Sequence, residues 1–163
     1  MVAKSGDKLL ANEAHDALVQ YLVPLATVIT PNIPEAEELT GLIIRTKEDM
    51  VQAGRKLLAM GCRVALITGG HLEGESADDL YLTDDVTHWL PAVKIDTPHT
   101  HGTGCTLSAA IAAGLASGFD PLKAVQRAKR FITDAIAHAP KLGGGHGPTN
   151  HLGWLGKGTG DEE

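Results

Sequence analysis

An α/β fold with a mostly parallel sheet is predicted by three observations. Short apolar runs rich in β-branched residues, Thr27-Val28-Ile29-Thr30 and Arg63-Val64-Ala65-Leu66-Ile67-Thr68, alternate with stretches of helical apolar spacing. Helix-start and helix-stop residues fall at the junctions. Strands linked through helices in this order pair in parallel through right-handed crossovers.

Taken in order, residues 12–25 carry Ala14, Leu18, Tyr21, Leu22 and Leu25 at the spacing of an amphipathic helix, with Asn12 placed to cap it. The strand at 27–30 stops at Pro31-Asn32-Ile33-Pro34, where two prolines exclude helix interior and central strand alike. Pro34 suits the first position of a helix running through Leu39 and closed by Gly41. Thr46-Lys47-Glu48-Asp49 is an N-terminal capping signal for a helix whose face is Met50, Ala53, Leu57 and Leu58 and whose stop is Gly61. After the strand at 63–68, residues 79–83 and 87–90 flank Asp84-Asp85 as a hairpin. Two further helices are predicted at 107–117 and 121–139, and the Gly-rich stretch from Leu142 is expected to be irregular. This arrangement leaves a face of helix 12–25 uncovered and one sheet edge open, which predicts either an oligomer or a missing N-terminal half.

Composition narrows the class of protein. The 163 residues suffice for one compact unit with its own core. Hydrophobic residues at 43% and charged residues at 21% fit a folded soluble protein. Fourteen Lys+Arg against twenty Asp+Glu give a net charge of −6, and aromatics are 4%, which points away from nucleic acid as a partner. No apolar run reaches membrane-spanning length and the first residues hold no signal-peptide core, so a cytoplasmic protein without a membrane partner is expected. Cys62 and Cys105 read as two free thiols.

The run His99-Thr100-His101-Gly102-Thr103-Gly104-Cys105-Thr106, followed by a small-residue stretch, carries the most chemistry. Gly102 and Gly104 permit backbone conformations that turn successive N–H groups inward on one oxyanion, with the positive end of a helix behind them. Cys105 falls in the first turn of that helix, where the dipole favours a thiolate. The same residues also fit a tight strand-to-helix connection with a buried Cys. Two other loops follow predicted strands. Asn32 and Glu35 offer oxygen ligands suited to Mg²⁺, and Gly69-Gly70 allows a backbone to approach a nucleotide. Ligands bind at the carboxyl ends of strands in open α/β sheets, so the three loops are expected to share one crevice. Glu35 equally fits a solvated helix-start residue, and Gly69-Gly70 a plain turn.

Several motifs in order resemble the hydroxymethylpyrimidine/phosphomethylpyrimidine kinases of thiamine biosynthesis. They are Met1-Val2-Ala3-Lys4-Ser5-Gly6, Thr30-Pro31-Asn32-Ile33-Pro34-Glu35-Ala36-Glu37, Gly69-Gly70-His71-Leu72, residues 96–105, and Gly145-His146-Gly147-Pro148-Thr149-Asn150-His151. The resemblance implies a ribokinase-like, Rossmann-like three-layer fold whose N-terminal part is missing. Residues 1–151 then form the C-terminal part of the kinase domain, about the last three-fifths of such an enzyme, and 152–163 a Gly-rich tail. It implies ATP as phosphoryl donor, Mg²⁺, a small pyrimidine acceptor and a homo-oligomer. By resemblance, Cys105 is the base or positioning group at the substrate and Gly102, Thr103 and Gly104 form the anion hole. Thr68, Gly69 and Gly70 belong to the nucleotide site, and Glu35 with Asn32 to the magnesium region. Most ribokinase-like enzymes, vitamin B6 kinases included, have Asp where this chain has Cys105. Thr68 stands where the family usually has Lys, removing a cation that would pair with ATP phosphates. The competing expectation is a truncated, non-catalytic remnant that keeps nucleotide or anion binding. A further alternative is a metal held by His99, His101 and Cys105.

Overall fold

Residues 12–72 and 74–153 are described by a computed structural model, and they divide into two units, one ending at Lys94 and the other beginning at Ile95. The motif at Met1–Gly6 and the end of the tail from Trp154 lie outside the described residues.

The first unit is built on a four-stranded sheet in the order β1-β2-β3-β4, with β1 at Val28–Ile29, β2 at Val64–Ile67, β3 at Asp79–Leu82 and β4 at Thr87–Leu90. β1 and β2 are parallel, with Val28 opposite Val64. Their crossover contains α2 (Ile33–Thr40) and α3 (Lys47–Ala59). β2–β3 and β3–β4 are antiparallel. The sheet is therefore mixed over this stretch, and parallel pairing is confined to the one pair joined by helices, because neither later connection contains a crossover helix.

Local sequence explains the helix ends. Thr46 and Asp49 form a reciprocal capping box on α3, Thr46 Oγ1 accepting from Asp49 N (3.1 Å) and Asp49 Oδ2 from Thr46 N (2.9 Å). Gly41 closes α2 at φ +68, a conformation that costs glycine nothing. Met50, Ala53 and Leu57 of α3 are fully buried against Leu80 and Leu82 of the sheet. Each large aliphatic side chain buried there contributes about 1.5–3 kcal/mol. Gly54 lets the helix lie close to the sheet, since a Cβ there would meet Leu82 Cδ2 at 2.7 Å.

Residues 12–25 depart from the single amphipathic helix expected. α1 (Asn12–Ala17) passes into a π-helical turn at Leu18–Leu22 and a 3₁₀ turn at Val23–Leu25, where Pro24 excludes α-helical continuation. The wider π turn shifts the phase of the face. Val23 is buried, whereas Tyr21, Leu22 and Leu25 are 66%, 61% and 80% exposed. The expected uncovered face is thus present, and β1 is an edge strand among the described residues.

Asp78, just ahead of β3, is tied on both sides. Its Oδ2 accepts from Lys47 Nζ at 2.6 Å and its Oδ1 from Ala92 N at 3.0 Å. The Lys47 ammonium, which also lies over the Trp89 ring at 4.9 Å, holds the carboxyl at about 2, below its ordinary 3.8. A depressed folded value makes the contribution complete above 3.8 and lost as pH falls through about 2. Asp78→Asn is expected to flatten the acid limb of stability against pH in that window, as read by urea unfolding at a series of pH values.

The second unit pairs α4 (Thr103–Ala116) with α5 (Pro121–Ala137) through Leu107, Ile111, Ala124, Val125, Ala128 and Ile132. α4 begins four residues before the expected 107. Asp120 caps α5, accepting from Lys123 N at 3.0 Å. The glycine-rich chain after α5 is irregular, as expected, yet it is anchored. Asn150 N donates to Ala135 O (2.9 Å), and Pro148 bridges to His101.

Candidate functional site

In the first unit, the loops after β1 and β2 are brought side by side. The parallel pairing continues past the strands as a bridge between Asn32 and Thr68, and Thr68 N donates to Pro31 O at 3.0 Å. Asn32 caps α2 in a second reciprocal box. Its Oδ1 accepts from Glu35 N (2.9 Å), and Glu35 Oε2 accepts from Asn32 N (3.1 Å). The helix begins at Ile33, so Pro34 is its second residue rather than its first. The box turns one oxygen of each side chain toward backbone and leaves Glu35 Oε1 without a partner among the described residues. Mg²⁺ commonly takes one or two carboxylates together with substrate phosphates, so a single free carboxylate oxygen at a helix start fits such an ion.

Thr68, Gly69 and Gly70 follow β2 directly. Gly69 is buried, and a Cβ there would lie 1.9 Å from the Asp78 carbonyl oxygen, so the close approach it permits is to the protein's own backbone. Gly70 is exposed with nothing within 4 Å of its Cβ position. It is therefore Gly70 that leaves open space for a ligand. Asp79, 3% exposed at the start of β3, accepts from Gly69 N at 3.0 Å and holds the loop from below. The sequence signal for Asp79 was a carboxylate opening a strand whose next residues are all apolar. Leu72 N closes the turn onto Gly69 O (3.0 Å), and Lys94 Nζ donates to Leu72 O.

The second unit holds the glycine turn that the sequence offers as a cradle. Gly102 has φ +83 and caps α4 in the left-handed region, which glycine adopts without strain. Thr103 Oγ1 donates to Thr100 O (2.8 Å), and Thr106 N makes the first helical bond, to Gly102 O (2.9 Å). The backbone N–H groups of Gly104 and Cys105 find no acceptor among the described residues. Two adjacent unpaired donors at the positive end of a 14-residue helix are an arrangement that suits an anion. Cys105 is exposed there, whereas Cys62 is buried, donates to Leu57 O (3.3 Å), and has its thiol pushed up to about 11 by burial. The alternative of a metal on His99, His101 and Cys105 finds no support, since no group of three such ligands occurs among the described residues. His99 is instead buried against Gly147. Among the described residues no helix is long and apolar enough to cross a membrane.

The crossover and the glycine loop belong to the first unit and the glycine turn opening α4 to the second, in a chain of α/β class. The chain belongs to the phosphomethylpyrimidine kinase family, whose pattern it matches over residues 1–150. It is 48% identical over 154 residues to a hydroxymethylpyrimidine/phosphomethylpyrimidine kinase of Streptomyces coelicolor, covering 94% of this chain and 56% of that protein. Among solved structures it is similar to an ADP complex of Bacillus subtilis pyridoxal kinase, with a TM-score of 0.87 and 42% identity over 91% of this chain and 58% of that one. It is likewise similar to Staphylococcus aureus pyridoxal kinase in complex with AMP-PCP and pyridoxal, with a TM-score of 0.86 and 35% identity over 91% and 56%. The chain thus spans less than two thirds of the length of these relatives.

Proposed function

We propose that this chain serves ATP-dependent phosphorylation of 4-amino-5-hydroxymethyl-2-methylpyrimidine, of its monophosphate, or of both, in cytoplasmic thiamine biosynthesis. The observation that carries the reading is the pair of unpaired N–H groups at Gly104 and Cys105 behind left-handed Gly102. In the proposed step the acceptor oxygen attacks the γ-phosphorus of ATP, the bond to the ADP oxygen breaks, and the acceptor proton passes to Cys105. Charge spreads over the equatorial oxygens of the transferring group, where the N–H groups of Gly104 and Cys105 would receive it. Gly102 fixes the backbone turn and Thr103 pins it through Thr100 O. Thr68, Gly69 and Gly70 are assigned to the nucleotide, with Thr68 contributing a hydroxyl where a cation is usual. Glu35, set in place by Asn32, is assigned to Mg²⁺, which neutralises phosphate charge when bound. The exposed Tyr21, Leu22 and Leu25 suit a homo-oligomer, and equally the N-terminal half of such an enzyme packed on the same face.

Phosphorus NMR of the full chain with ATP and each pyrimidine in turn tests the reading, with Cys105→Ala beside it. An alcohol needs its proton removed, whereas a phosphate acceptor is already anionic. Cys105→Ala is expected to lower alcohol phosphorylation about 100-fold and phosphate phosphorylation by no more than about tenfold. Equal losses would remove Cys105 from the base role. A folded chain that binds ATP without turnover would establish the alternative, a truncated, non-catalytic remnant. Pyridoxal belongs in the same assay, given the 42% identity to a pyridoxal kinase.

A further inference from the structure

Nothing in the step above uses residues 146–151, yet this segment wraps the cradle and ends against α4. His146 Nδ1 lies 3.1 Å from Pro98 O, and His101 N donates to Gly147 O at 3.1 Å. Pro148 then bridges to His101, and Asn150 N is fixed to Ala135 O of α5. Gly147 lies so close to the cradle loop that a Cβ would stand 2.2 Å from His99 Nδ1. At the end of the strap, His151 Nε2 and Thr106 Oγ1 are 2.9 Å apart, and the His151 ring lies 6.3 Å from that of Phe131 at 35°.

We infer that His151 is a positioning residue, holding the first turn of α4 in register with the cradle through Thr106. Thr106 is tied twice. Its N–H reaches back to Gly102 O and its hydroxyl reaches out to His151, so one residue joins the left-handed cap to the strap. The two unpaired donors, Gly104 and Cys105, lie between Gly102 and Thr106, the residues that the first tie joins. Cys105 itself makes no side-chain bond among the described residues, so its direction is set by the turn that carries it. Phe131 lies beside the imidazole, the two rings tilted by 35°. The inference rests on the phosphoryl-transfer reading for its kinetic consequence alone.

The test uses Thr106→Val, Thr106→Ser, His151→Phe and the Thr106→Val/His151→Phe double variant in the full chain. His151→Phe keeps an aromatic ring against Phe131 and removes the nitrogen. Amide hydrogen exchange at Thr106 and Leu107 is expected to accelerate about three- to tenfold in Thr106→Val and in His151→Phe, with exchange in α5 unchanged. The double variant should equal either single one, and Thr106→Ser should restore the parent rate. In the kinase assay kcat is expected to fall by a similar factor while KM for ATP holds. Unchanged exchange at Thr106 and Leu107, or single effects that multiply in the double variant, would overturn the inference. So would acceleration in α5 to the same degree, which reports general destabilisation. Coupled exchange with rescue by Thr106→Ser, in a chain that shows no turnover at all, would uphold the positioning role and fail the phosphoryl-transfer reading instead.

Discussion

Gly69→Ala is expected to lose about 3 kcal/mol of stability, while Gly70→Ala changes it by no more than about 0.5 kcal/mol. The two glycines are neighbours in one loop, and composition alone would treat them alike. At Gly69 an added Cβ falls 1.9 Å from the Asp78 carbonyl oxygen and 2.9 Å from its carbon, both backbone atoms. Neither can swing aside as a side-chain tip could. Asp78 is fixed by Lys47 and Ala92, and the next residue, Asp79, holds Gly69 N from within the core. Relief therefore requires β3 to shift against β2, breaking the bond to Asp79 and leaving a buried carboxylate short of a donor. At Gly70 the added methyl meets nothing within 4 Å. Urea unfolding of the two variants measures the contrast. Equal midpoints would place Gly69 outside the close contact. On the kinase reading the same pair separates two roles, because Gly70→Ala should weaken ATP binding without touching the fold, by placing a methyl where a ligand would lie.

What could be read from sequence follows how local each determinant is. Thr46 and Asp49 announce their capping box at a spacing of three, and the apolar face of α3 is set by its own periodicity, so both are visible without the fold. Asn32 and Glu35 have the same spacing, but their oxygens equally suit a metal ion, so the spacing alone does not single out the box between them. The cradle was legible because Gly-Thr-Gly ahead of an Ala-rich helix fixes both a backbone turn and a helix start. Three features leave no readable pattern in the sequence. The direction of β3 depends on the loop at 68–78, which has no helical spacing and whose Gly69-Gly70 turn signal does not say which way the next strand runs. The burial of Val23 instead of Tyr21 depends on a π turn that shifts the phase of the helix, and no residue type marks that turn. The strap at 146–151 is held by single bonds to Pro98, His101, Thr106 and Ala135, which leave no repeating pattern to detect.

Glu35→Gln separates the two uses of that carboxylate. A glutamine oxygen can still accept from Asn32 N, so the capping box survives, while the charge is removed. Stability is expected to fall by less than about 1 kcal/mol, the share owed to a negative charge at a helix N-terminus. Asn32→Ala, by contrast, removes the acceptor for Glu35 N and should lose about 1 kcal/mol with the box. If Glu35 Oε1 serves Mg²⁺ beside the nucleotide phosphates, Glu35→Gln should lower turnover about 10- to 100-fold and raise the Mg²⁺ concentration needed for half-maximal rate. The comparison is informative because the two variants remove different things. One spares the helix and strikes the charge, and the other strikes the helix start and keeps the charge. Activity that tracks stability across both would make Glu35 a capping residue alone. Activity lost in Glu35→Gln, with stability retained, would assign its free oxygen to the cation, since the variant keeps one oxygen for the capping box and replaces the other by a neutral NH2 that cannot ligate a metal.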